Sequence, residues 1–432
     1  MESKPLRDVH AHSMEVDVLK KKIESVGKAV LKAVPAGERL LSFKDTITEA
    51  GKGYTLTRMY DLEGETVTLP RGVVLTFKPG AGLKNGRIVG DGAIIKADSR
   101  IFYDVEVGGS WACRGNALWW TDGCQLSETD KGVPFVRKFV DDYKGLQAAL
   151  DSSFSEIVFP PRLYYTTQTL LLWKETKLTF EGVRMGNSLS NCPKAIRNAS
   201  ILFTDKDIVV VRIATGGTTG HESVAIVGGN FDVSLCPEYH ASVIEVRTDM
   251  NERVWGLAIE TNIRAAYGNR HGIGIDINPV ENKASTGYVT EVRINSCVAN
   301  FCIGVRAQDY HDERLTPFNW CSDVVVDGSI INCPVCVQLG CDGDVRAMLQ
   351  SGKFFGVKDN GVGLVRINTP YTCTMSSNVY DIRQGSGETF SNEYAIDVAP
   401  GSGAVTASGK FRAFCIACHQ LGWEIIKGKV EI

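Results

Sequence analysis

Long hydrophobic runs are absent. No stretch approaches 18 consecutive apolar residues, so no membrane-spanning helix is expected. An apolar leader is missing too: Met1 to His10 is polar, so a secretory signal is not expected. Charge of one sign is scarce, with 47 Lys and Arg against 50 Asp and Glu, a net charge of −3. That balance excludes a strongly basic nucleic-acid binder and an acidic disordered chain. Proline is modest at 14 in 432 residues. Familiar catalytic signatures are lacking: there is no H-E-x-x-H, no P-loop, no G-x-S-x-G and no usable G-x-G-x-x-G. Glycine, by contrast, is plentiful at 44. Many glycines among short apolar runs point to frequent turns between short strands. The 13 cysteines are an odd number. With no leader, free thiols of a reducing compartment are expected rather than a disulfide framework.

The first 35 or so residues differ from the rest. Val16, Leu19, Ile23, Val26, Val30 and Ala33 recur at alternating steps of three and four, a heptad stripe flanked by lysines. It predicts a short N-terminal helix that docks on a neighbour or joins a coiled coil. Strands follow at 54–57, 66–69, 73–77 and 93–96, separated by Pro-Gly, Asn-Gly and Gly-Asp-Gly turns. A helix is predicted from Asp142 to Leu150, capped by Asp141 or Asp142, with Leu146, Ala149 and Leu150 as its apolar face. Strands resume at 156–159, 163–165, 170–172 and 177–180.

The C-terminal half carries a repeat of apolar-x-apolar triplets. One column begins at Val211, Ile244, Ile273, Ile303, Val335, Val365, Ile396 and Ile416. A second begins at Val224, Leu257, Val292, Val324, Tyr380 and Val405. A period of roughly 30 residues with no helix between points to a solenoid whose coils bury one another. Propeller blades need about 40–50 residues and hairpin turns. The expected fold is therefore all-β: a right-handed parallel β-helix over 131–432, handed by the general crossover rule. A small β-rich region at 41–130 and the helix in 1–40 precede it.

A family resemblance adds to this. Tyr54-Thr-Leu-Thr-Arg-Met-Tyr-Asp-Leu62, Thr66 to Phe77 and Leu83-Lys-Asn-Gly-Arg-Ile-Val-Gly90 resemble the N-terminal region of phage tail-fibre and tailspike-like proteins of gut Bacteroidales (crAss-like) viruses. Ala117-Leu-Trp-Trp120 and Asp141 to Leu150 look like that family's Trp-bearing stretch and capping helix. Ile157-Val-Phe-Pro-Pro-Arg-Leu-Tyr-Tyr165 is similar to the first strand of the pectate-lyase-like β-helix superfamily. The resemblance implies a homotrimeric virion tail appendage, assembled in the host cytoplasm. It would attach to other virion proteins through residues 1–40 and meet bacterial surface polysaccharide, with neither nucleic acid nor membrane insertion. The alternative it implies is a polysaccharide depolymerase, a glycoside hydrolase or a lyase.

Carbohydrate cleavage needs carboxylates, roughly 5–10 Å apart in a glycosidase. Glu260, Glu291 and Asp323 lie near the ends of second-column strands and are the catalytic candidates. Two long turns, 278–288 and 308–320, belong to adjacent coils. Tyr288, Tyr310, Asp312, Glu313 and Trp320 there, with Glu281 nearby, are the glycan-binding candidates, since aromatic faces stack on sugars. A subunit contact through the same turns is an equal reading. Two C-x-x-C pairs, Cys333/Cys336 and Cys415/Cys418, lie on predicted strands, where i and i+3 face opposite ways. Core thiols are expected there, with no metal and no cofactor.

Overall fold

A computed structural model gives the architecture. It describes residues 42–128, 134–185, 188–189, 198–214, 221–248, 253–269, 271–277 and 288–307, then shorter pieces at 320–321, 324–326, 329–331, 333, 335–339, 352–353, 364–367, 373–381, 394–398, 405–412, 416–419 and 429–431. The chain divides into two compact units, Met1–Thr48 and Glu49–Ile432. In the first, helix α1 (Phe43–Thr46) is capped by Ser42, whose hydroxyl accepts from the Asp45 N–H at 3.1 Å. The heptad stripe at 16–33 lies outside the described residues. No described helix is long and apolar enough to cross a membrane.

The second unit is an all-β fold of parallel sheets. Among the described strands only two pairs run antiparallel, 125–128 with 134–138 and 405–412 with 429–431. Parallel stacking begins at Gly53. The strand Gly53–Leu56 pairs with Val74–Phe77, which pairs with the end of the long strand Gly82–Lys96. Met59–Asp61 and Thr66–Thr68 lie along that long strand, and Phe102–Trp111 lies on its other edge. Leu56, Leu75, Leu83 and Ile88 are fully buried there. Each strand here is answered about 20 residues later, a shorter coil than in the C-terminal half.

An eleven-stranded sheet carries the second triplet column as expected: Ile226, Ile259, Ile294 and Val326 are successive partners. Tyr380 and Val405 do not continue it. They belong to a separate four-stranded sheet, where Val405 is opposite Cys373 and Tyr380 opposite Phe411. A nine-stranded sheet carries the first column with a correction. Ile244 partners Ile275, not Ile273, and the ladder runs Val211, Ile244, Ile275, Val305, Val337, Val365, Ile396, Cys418, with Val211, Ile244, Ile275, Val305 and Val337 buried. The expected partners Ile273, Ile303 and Val335 form their own run two residues earlier. A two-residue shift leaves every side chain on the same face, so the triplet pattern alone does not separate the registers.

Two devices keep the stack in register. Gly228 and Gly229, at φ 79° and 65°, make a bulge against Phe180, where a Cβ on either would clash. Phe180 in turn stacks on Phe159, ring centroids 4.2 Å apart, a pairing worth about 0.5–1.5 kcal/mol beyond its burial. Helix α2 (Tyr143–Asp151) buries Leu146, Ala149 and Leu150 as expected. The N–H of its first residue, Tyr143, donates to the Asp141 carboxylate at 3.1 Å, and the N-cap residue Asp142 makes no side-chain capping bond. From α2, Gln147 reaches the edge strand Leu170–Leu172. Its amide accepts from Leu171 N–H and donates to Leu171 C=O, each at 2.9 Å. One side chain thus replaces a neighbouring strand at the start of the nine-stranded sheet.

Candidate functional site

The described parts of the two long turns lead into a four-stranded parallel sheet. Its strands are His221–Glu222, Arg253–Trp255, Tyr288–Thr290 and Trp320–Cys321. Val254 and Val289 are partners and fully buried, which anchors this sheet to the core. Strand alternation puts the flanking positions on the other face. The backbone register aligns Arg253, Tyr288 and Trp320 in one column and Glu222, Trp255 and the buried Thr290 in the next. Trp255 is 41% exposed. Neighbours in such a column repeat every 4.8 Å or so, and a sugar chain laid across it meets one residue per coil.

Two of the five glycan-binding candidates, Tyr288 and Trp320, are therefore direct cross-strand partners. Tyr310, Asp312 and Glu313 lie outside the described residues, as does Glu281. Arg253 and Trp255 were not among the candidates. They lie on the short path from Val246 to Leu257, which makes no long excursion and so carries no turn signal.

The catalytic candidates separate. Glu291 is exposed and sits at a corner with φ 54°. Gly256 and Ser223 take the same left-handed conformation one and two repeats earlier, at φ 74° and 63°. Glu260 lies within its strand Ala258–Arg264, opposite Val227 and four positions beyond Gly256. Four extended residues span about 13 Å, more than a carboxylate pair tolerates in glycoside cleavage. Asp323 lies outside the described residues.

A different pair of acids comes together. The register of the nine-stranded sheet places Arg212, Glu245, Asp276 and Arg306 in one column. Arg212 Nε donates to Glu245 at 2.5 Å, and Arg306 binds Asp276 through two nitrogens at 2.8 and 2.6 Å. Both carboxylates are buried. Burial raises the Glu245 pKa, Arg212 opposes that, and the Asp276 charge adds to it. Acids held this way act as cross-links between coils, not as proton carriers. The second triplet at Ile275-Asp276-Ile277 carries the signal that would have found them.

Cys113, Cys124, Cys236, Cys297 and Cys302 are free thiols, and no cluster among the described residues could hold a metal ion. Cys333 is buried, and burial pushes its thiol up to about 12, so it stays protonated. Cys336 and Cys418 are strand residues, and Cys415 lies outside the described residues. No family model, no curated protein and no solved structure matches the chain.

Proposed function

We propose that the chain is a virion tail appendage, a tail-fibre or tailspike-like subunit, that binds bacterial surface polysaccharide on a right-handed parallel β-helix. The observation that carries this reading is the pairing of Tyr288 with Trp320, beside Arg253 and the exposed Trp255, on a face where successive coils present successive residues. Aromatic rings stack on the C–H faces of sugars, and an arginine donates to their hydroxyls. The register ladders of roughly 30 residues are what a β-helix requires. In this proposal the protein is a homotrimer that assembles in the host cytoplasm and joins the virion through residues 1–40. Adhesion is favoured over depolymerase chemistry because the adjacent acids Glu245 and Asp276 are both engaged by arginines.

The test is binding of purified protein to purified capsular polysaccharide of susceptible bacteria. Trp255→Ala and Trp320→Ala should each weaken binding by about 1–3 kcal/mol, as loss of an aromatic anchor does, with folding intact. Unchanged binding in both variants would move the face to a subunit contact. Mass measurement in solution reads the trimer, and a monomer at micromolar concentration would count against the appendage.

A further inference from the structure

A cleft lies well away from the aromatic face in sequence. It encloses about 720 Å³ and is lined by the strand that holds Val105 to Gly109, by Ala148 and Asp151 at the end of α2 and the segment Ser152–Ser155 after it, and by Lys174 and Glu175. That is the size of a small-molecule site. Its floor is apolar, with Val105, Val107 and Phe154 all buried. Its rim is charged, and the charges come from four separate segments: Arg87, Glu106, Asp151, and the Lys174–Glu175 turn.

The rim charges are unevenly committed. Arg87 lies 4.0 Å from Glu106. Asp151 accepts from Gln147 at 2.9 Å. Lys174 is half-buried, and among the described residues nothing closes on its ammonium as an ion pair or hydrogen bond. Burial lowers its pKa, and the Asp151 charge only partly opposes that. Its donors therefore face the cleft without a protein acceptor.

We infer that this cleft is a second saccharide site, separate from the four-stranded sheet, and that its ligand is a short neutral sugar chain. An anionic ligand would meet Glu106, Asp151 and Glu175. A cationic one would meet Lys174 and Arg87. A wholly apolar one would strand the charges of both signs. A neutral saccharide suits all three surfaces: its C–H face covers the apolar floor, its hydroxyl oxygens accept from Lys174 and Arg87, and its hydroxyl protons go to the carboxylates. The inference rests on the reading of the chain as a saccharide-binding protein.

The experiment measures binding of cellohexaose, maltohexaose and laminarihexaose to the full chain by calorimetry. Hexagalacturonate and chitosan hexamer serve as charged counterparts. At least one neutral hexasaccharide should bind, and more tightly than both charged ones. Lys174→Met should weaken it at least tenfold, and Ser155→Trp, which fills the cleft from its exposed rim, should abolish it. Asp151→Asn gives an independent loss should either variant fail to fold. Absence of neutral binding, preference for a charged hexamer, or wild-type binding in folded Lys174→Met and Ser155→Trp proteins would overturn the cleft. Whole-polysaccharide binding that depends on Trp255 and Trp320 would then still stand. Hexasaccharide binding in a protein indifferent to both tryptophan changes would instead sink the sheet face and keep the cleft.

Discussion

Asp142 is a carboxyl group in an unfavourable place. Its Oδ1 accepts from Gly123 N–H at 2.9 Å, but its buried Oδ2 has no partner. Burial raises its pKa to about 6, against the pull of the Gly123 and Tyr165 hydrogen bonds and of Arg162. The folded-state value thus lies above the unfolded one. Folding is favoured by the neutral acid at low pH, and stability falls as pH rises from about 4 through 6. Asp142→Asn keeps the Oδ1 acceptor and removes the charge. It should stabilise the protein at pH 7.5 by up to about 3 kcal/mol and have little effect at pH 4. Urea unfolding at the two pH values measures this, and an equal effect at both would show that charge is not the cause. Glu291 shows the other side of residue-level reading. Its position at a strand end is visible in the sequence, but its left-handed backbone is not, because Ser223 and Glu291 stand where a turn signal would lead one to expect glycine.

Single elements were legible to different degrees. The strands 156–159, 163–165, 170–172 and 177–180 agree residue for residue with expectation, since each is a short apolar run between turn residues. Helix α2 starts one residue later than expected because Asp142 is its N-cap residue and not its first helical one. Register was the harder quantity. Ile273 and Ile275 are equally good triplet members, so only the partner strand decides between them, and Asp276 beside Glu245 stayed hidden with that choice. The coils of about 20 residues at the N-terminus were read as strands without their parallel order, because two or three short repeats give little periodic signal. Gln147 was invisible for another reason: its role depends on a strand edge more than twenty residues away. Gln147→Glu retains an acceptor for Leu171 N–H but strands the Leu171 carbonyl. It should cost roughly 1–3 kcal/mol, and Gln147→Ala should cost more and promote association through the bared edge. Chemical denaturation and light scattering read the two effects. Full stability in Gln147→Ala would show that α2 covers the edge by packing alone.

The second unit is a stack in which each described strand pairs mainly with its two neighbours. A stack of this kind should survive removal of one complete repeat. Excising Glu260 to Ile294 joins Ile259 to Asn295, the residue that follows its own partner one coil later. Ile244 would then face Val305, and Glu245 would face Arg306, an attractive pair in place of two acids. The shortened chain should fold with the far-ultraviolet spectrum of a β protein and a cooperative melt. An insoluble or unfolded product, with a control excision a few residues out of phase behaving no worse, would argue against coil-by-coil stacking.

The amide of Gln147 also sets a direction. It blocks the nine-stranded sheet at Leu170–Leu172, the end nearest the N-terminus. A chain leaving the ribosome therefore completes the blocked end before the rest of that sheet exists. Each later strand arrives at an edge already made, and the newest strand is always the one left open. The stop is sewn in before the zip is drawn, and assembly runs one way.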